Sequence, residues 1–153
     1  MSELDRLLQI ADAIAAKMPD FHSTAARQFV TECFMERLRE AVHADPALQC
    51  PSEDLVLSGT LPKAGLRFDF YIPREQTAVE FALGKSVREF EKDLLKAVLA
   101  KTDGKPIQCL ALAIRRGRRP KLINPARQAM TEYVEEHLDV RVVIREFGPL
   151  GRP

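Results

Sequence analysis

The sequence predicts an α/β fold, a mixed β-sheet flanked by helices. Helical periodicity and short strand-like runs follow one another in the order α, α, β, β, β, α, β, α, β. Three strands joined by tight turns, then strands separated by helices, call for both antiparallel and parallel neighbours. A length of 153 residues, with 46% hydrophobic and 29% charged residues, suits one globular domain, long enough for a real core.

Ser2 to about Lys17 is expected to be helical, with Ser2 as its cap and Asp5 completing a weak capping box. Leu4, Leu7, Ala11, Ile14 and Met18 form a seam at alternating three- and four-residue steps. A segment this short favours packing on its own domain, with a homodimer contact through the N-terminal helix as the alternative. Residues 1–18 are thus set apart from a single domain over 19–147 and a flexible tail over 148–153. Met18-Pro19-Asp20 breaks the chain, and Ser23 or Thr24 caps a second helix reaching about Ala44. Its buried side is expected to hold Ala26, Phe29, Val30, Cys33, Phe34, Arg37, Leu38 and Ala41, with Glu36 and Glu40 at the edge and Glu32 further round.

A loop over Ala44–Asp54 leads to a strand at Leu55–Leu61, a turn at Pro62–Gly65 and a tight hairpin. After the hairpin, Ser86 caps a helix from Val87 to Lys101, ended by Gly104 with Pro106 beyond. Ile107–Ile114 is apolar almost throughout, as in a strand buried on both faces. Asn124-Pro125 caps a helix to about His137, and Asp139–Arg145 is a last strand with alternating Val140, Val142 and Ile144.

The hairpin carries the chemistry. In Leu66–Ile72 and Thr77–Leu83, Leu66, Phe68, Phe70 and Ile72 share one face of the first strand, and Val79, Phe81 and Leu83 share one of the second. Asp69 and Glu80 point away from these faces. A four-residue loop at Pro73–Gln76 without a bulge pairs 72 with 77 and 69 with 80. Like charges directly opposite each other in a sheet are destabilising, so the pair calls for a cation, and a divalent metal is the simplest one.

Net charge is +1 and gives no global argument for nucleic acid or membrane. Arg115, Arg116, Arg118, Arg119 and Lys121 nevertheless concentrate five positive charges in seven residues, which suits an anionic partner. No apolar run is long enough to span a bilayer, and Glu3 and Asp5 interrupt any signal-peptide core, so a cytoplasmic protein is expected. Cys33, Cys50 and Cys109 suit neither a disulfide framework nor a zinc site. Glu91 falls among apolar helix positions and is expected to be paired or close to the site. His43 and His137 lie near helix C-termini, where positive charge is favourable.

On Asp69 within Arg67-Phe68-Asp69-Phe70-Tyr71, Glu80 within Val79-Glu80-Phe81-Ala82, and the order of elements, residues 24–145 resemble the PD-(D/E)XK nuclease-like (restriction endonuclease-like) superfamily. The resemblance implies an αβββαβ core, with the N-terminal helix and the C-terminal helix and strand as additions. The family carries an Asp on the second strand, Glu-x-Lys on the third and often a Glu on the first core helix. Here Phe68 precedes Asp69 where the family often has proline, and Ala82 stands where the strand lysine belongs. Substitutes lie in Lys85 just past the strand, Lys92 on the next helix, and Arg67, which pairs with Ala82 in this register. Arg67 cannot serve as a base at neutral pH, though it can neutralise phosphate or the carboxylates.

The implied activity is hydrolysis of DNA phosphodiester bonds, with RNA as the alternative polymer. Asp69 and Glu80 would hold Mg2+, or Mn2+, Lys92 or Lys85 would assist attack, and Glu36 would orient a water. Arg67, Arg115, Arg116, Arg118, Arg119 and Lys121 would meet backbone phosphates. The alternative is a catalytically inactive module on the same scaffold that binds nucleic acid or a protein partner, with Arg67 salt-bridged between the two carboxylates.

Overall fold

The computed structural model describes residues 1–23, 27–48, 67–84, 87–117 and 124–151. These form α1 (Glu3–Ala16), α2 (Arg27–Ala44), β1 (Phe70–Ile72), a 3-10 turn (Pro73–Glu75), β2 (Thr77–Ala82), α3 (Val87–Thr102), β3 (Cys109–Arg115), α4 (Pro125–Leu138) and β4 (Arg141–Phe147). The strand expected at Leu55–Leu61 lies outside the described residues, as do Thr24, Cys50, Lys85, Ser86, Arg118, Arg119 and Lys121.

The strands lie in the order β1-β2-β3-β4. β1 is antiparallel to β2, whereas β2–β3 and β3–β4 are parallel. Parallel neighbours need a crossover, and α3 and α4 supply the two. The result is the expected α/β architecture, a mixed sheet with helices on both faces.

Each face has its own core. On one, Phe70, Ile72, Val79, Phe81, Ala111 and Ala113 meet Leu4, Leu7 and Ala11 of α1 and Val30, Phe34 and Leu38 of α2. On the other, Tyr71, Ala78, Leu110 and Leu112 meet Phe90, Leu94 and Ala97 of α3 and Val134 of α4. All seven residues of β3 are buried, which fits a central strand covered on both sides.

The seam of α1 is used within the chain: Leu4, Leu7, Ala11 and Met18 are buried and Ile14 packs beside them. Ser2 caps α1 as expected, its Oγ accepting from the Asp5 N–H at 3.0 Å and donating to Asp5 Oδ2 at 2.8 Å. Glu75 adds a distant cap, its carboxylate accepting from the Glu3 N–H. On α2 the buried stripe is rotated from the expected one. Val30, Phe34, Met35, Leu38 and Val42 are buried, whereas Phe29 is 64% exposed and Arg37 faces solvent. Phe34 sets this rotation, because it docks between Phe21, Phe81 and Phe147 with ring centroids 5.6, 6.0 and 5.3 Å away.

The start of the C-terminal tail is tied to the domain. Gly148 donates to Asp12 Oδ1 at 2.7 Å and accepts from Arg116 Nε at 2.9 Å. His22, for which the sequence offers no partner, meets the Pro149 carbonyl. Among the described residues no helix is long and apolar enough to cross a membrane.

Candidate functional site

The hairpin has the register the sequence predicts, with Ile72 opposite Thr77, Tyr71 opposite Ala78 and Phe70 opposite Val79. Its loop closes through Gln76, whose left-handed φ of 46° turns the chain into β2. One more step would set Asp69 opposite Glu80, but the strand ends first. Asp69 lies in a bend just before β1. Phe68 swings to the α3 side and packs with Tyr71, Ala78 and Leu94, contrary to the expectation that it shares a face with Phe70 and Ile72.

The bend gives Asp69 a different task. Its Oδ2 accepts the Phe81 N–H at 2.8 Å. The ladder with β1 stops at Val79, so the side chain replaces the missing main-chain acceptor for a buried donor. The two carboxylates are therefore not held as an opposed, repelling pair.

Glu80 sits in mid-strand and is only 3% exposed. Its neighbour on β3 is Leu112, which belongs to the core under α3 and α4, so Glu80 points to that side of the sheet. Its cation comes from α3. Lys96 Nζ bonds Glu80 Oε1, donates to the Arg67 carbonyl at 2.8 Å and lies 3.4 Å from Asp93 Oδ1. The Phe68 ring covers the ammonium at 5.7 Å from its centroid. Asp93 and Lys96 are themselves buried. Removing one member of a buried ion pair typically costs about 3–5 kcal/mol, because the other charge stays behind without its counterion.

The lysine that reaches Glu80 is not one of the two named from the sequence. Lys92 is exposed, and Lys96, one turn later, makes the contact. A signal for Lys96 did exist. It interrupts the apolar run Leu94-Leu95-Lys96-Ala97-Val98, with Asp93 three residues before it. Strand alternation also sends Glu80 toward whichever helix covers that face.

Among the described residues, the other expected site residues are dispersed. Glu36 is exposed on α2, which packs on the opposite face from Glu80, so the structure does not bring the two together. Glu32 is exposed on the same helix. Arg67 is exposed and contributes its main-chain carbonyl to Lys96. Arg115 is 2% exposed within β3, and Arg116 is engaged by the tail through Gly148. Glu91 lines an apolar groove of about 400 Å³ between α3 and α4 with Leu95, Met130 and Tyr133, away from the Glu80 cluster.

Asp69 and Glu80 supply hard carboxylate oxygens from adjoining segments of one hairpin. Among the described residues no group of three or more His, Cys, Asp or Glu side chains is arranged to hold a metal. Mg2+ is usually held by only one or two carboxylates, with waters and substrate phosphate completing its shell. No family model matches this chain, and no curated protein or solved structure matches it either.

Proposed function

We propose that this chain is a PD-(D/E)XK-type nuclease-like domain, a metal-dependent phosphodiesterase acting on DNA, in which Lys96 supplies the cation that Ala82 leaves out of the strand. The observation carrying this reading is the contact of Lys96 Nζ with Glu80, next to the hairpin bend that holds Asp69. The order α2, antiparallel β1–β2, α3 and parallel β3 is consistent with such a core, its first strand being assigned to Leu55–Leu61 by sequence alone.

In this reading Asp69 and Glu80 are the residues that would hold Mg2+ or Mn2+. The metal, when bound, polarises the phosphate and lowers the pKa of a water. Lys96 places a fixed positive charge beside Glu80, where it can stabilise negative charge developing on a phosphate oxygen. The Arg67 carbonyl and the Phe68 ring keep that ammonium in place and limit its access to water.

A second reading has its own support. Asp69 already accepts a main-chain hydrogen bond, and Glu80 is nearly enclosed against Lys96. A buried ion pair that ties hairpin to helix is sufficient for an inactive module that binds nucleic acid or a protein partner.

Cleavage of plasmid and single-stranded DNA with Mg2+ or Mn2+ separates the two. The nuclease reading expects the wild type to cut, with Asp69→Ala, Glu80→Ala and Lys96→Met each slower by about a hundredfold or more, the scale of a lost charge-stabilising or acid–base group. Equal rates in wild type and variants would sink it. Absent cleavage together with salt-sensitive, metal-independent DNA binding would support the module instead.

A further inference from the structure

We propose that Asp93 is the positioning residue for Lys96, anchoring its ammonium beside Glu80 from within the same helix. The inference rests on the nuclease reading above. Asp93 is only 2% exposed although it is a carboxylate, and an ion is kept at such a position only when it is paired. Its partner is one turn away on α3, with Oδ1 3.4 Å from Lys96 Nζ.

An ammonium has three donors, and Lys96 has three oxygen neighbours: Glu80 Oε1, the Arg67 carbonyl and Asp93 Oδ1. These three differ in what happens to them during the proposed reaction. Glu80 is assigned to the metal, so its hold on Lys96 weakens when its charge is shared with a second cation. The Arg67 carbonyl belongs to the segment just before the Asp69 bend, off the helix that carries Lys96. Asp93 moves with Lys96 on a rigid helix and meets neither metal nor substrate in this scheme. It is the contact that keeps a long, flexible lysine stem in one place when Glu80 lets go.

The test needs readouts that a merely structural ion pair would not move. In Asp93→Asn, kcat on DNA is expected to fall about tenfold with KM within about twofold, and in Asp93→Ala kcat falls further, since a misplacement of about 1 Å can cost about a hundredfold. Asp93→Glu, which keeps the charge, recovers part of kcat. The second readout needs no cleavage: the ammonium resonance of Lys96 in a heteronuclear spectrum, assigned by its loss in Lys96→Met. Asp93→Asn is expected to shift or broaden it, while the unfolding midpoint certifies that the variant is folded. An unchanged resonance overturns the proposal whether or not DNA is cut. A displaced resonance with unchanged kcat also overturns it, because the position of Lys96 then has no consequence for the reaction. A wild type that does not cleave, with a displaced resonance in Asp93→Asn, removes the nuclease reading and leaves the anchoring of Lys96 by Asp93 standing.

Discussion

The two faces of the sheet are both covered by apolar cores, and they differ in what is added to them. The α1–α2 face is an aromatic core in which Phe21, Phe34, Phe81 and Phe147 interlock with ring centroids between 5.2 and 6.0 Å apart. The α3–α4 face carries, at its hairpin end, the buried cluster of Glu80, Asp93 and Lys96. Burial of these rings is a non-directional driving force, with a smaller added preference for the tilted and edge-on pairs seen here. A buried ion cluster is worth something only when its geometry is complete, because each charge was desolvated to enter. The first core is apolar throughout, and the second adds to its apolar contacts an ion cluster that links α3 to β2.

The largest effects should expose this difference. Phe34→Ala is expected to cost about 3–5 kcal/mol by denaturant unfolding, since Phe34 is fully buried and its cavity cannot be filled. Lys96→Met is expected to cost nearly as much, about 3 kcal/mol, by leaving Glu80 buried without its counterion. The contrast lies in rescue. Adding Glu80→Gln to Lys96→Met should recover about 1–3 kcal/mol, the coupling typical of contacting residues, whereas no such recovery is expected for pairs of truncations on the aromatic face. A double mutant no more stable than Lys96→Met alone would make the two faces alike and remove the distinction.

An intermediate effect concerns the seam between the faces. Asp69→Ala leaves the Phe81 N–H without its 2.8 Å acceptor, and a buried amide so deprived costs about 1–3 kcal/mol. Asp69→Asn retains an acceptor and is expected to lose less. If both variants are as stable as wild type, Asp69 is not holding the end of the hairpin, and its conformation is free for the metal role alone.

What the sequence could reveal divides along the same lines. The hairpin register was legible because alternation in both strands and the length of the Pro73–Gln76 loop impose the same pairing. The two-sided burial of β3 was legible because Ile107–Ile114 contains almost no polar residue. The end of β1 was not, because Phe68 continues the alternating pattern in the sequence while its side chain joins the core on the α3 side. Nor could periodicity choose between Lys92 and Lys96. They are one turn apart on the same flank of α3, and the mark that separates them is local, Lys96 lying inside an apolar run with Asp93 three residues before it. The stripe of α2 was misplaced for a related reason: Phe29 and Phe34 are equal on a hydropathy scale, and only the aromatic neighbours around Phe34 break the tie.

The smallest effect is a surface control for the ionic comparison. The Ser2 hydroxyl, bonded to the Asp5 carboxylate, holds that carboxyl below its ordinary range, with the Ser2 backbone N–H and the Arg145 charge as lesser contributions. A group whose folded pKa is depressed contributes stability above its unfolded pKa and loses it as pH falls through the folded value. Ser2→Ala should therefore lose about 1 kcal/mol at neutral pH, the usual size of an N-cap. The gap between variant and wild type should narrow as pH is taken down through the carboxylate range, because the wild type then loses the charge-assisted hydroxyl bond to Asp5 that the variant lacks at every pH. Added salt should trim the part due to Arg145, which lies 3.9 Å from Asp5 at the surface. The Glu80–Lys96 pair is enclosed, so its coupling in the double-mutant cycle should change far less with salt. If the two pairs respond to salt equally, solvent reaches Glu80 and Lys96 freely, and the enclosure that sets the ionic face apart from an ordinary surface salt bridge is lost.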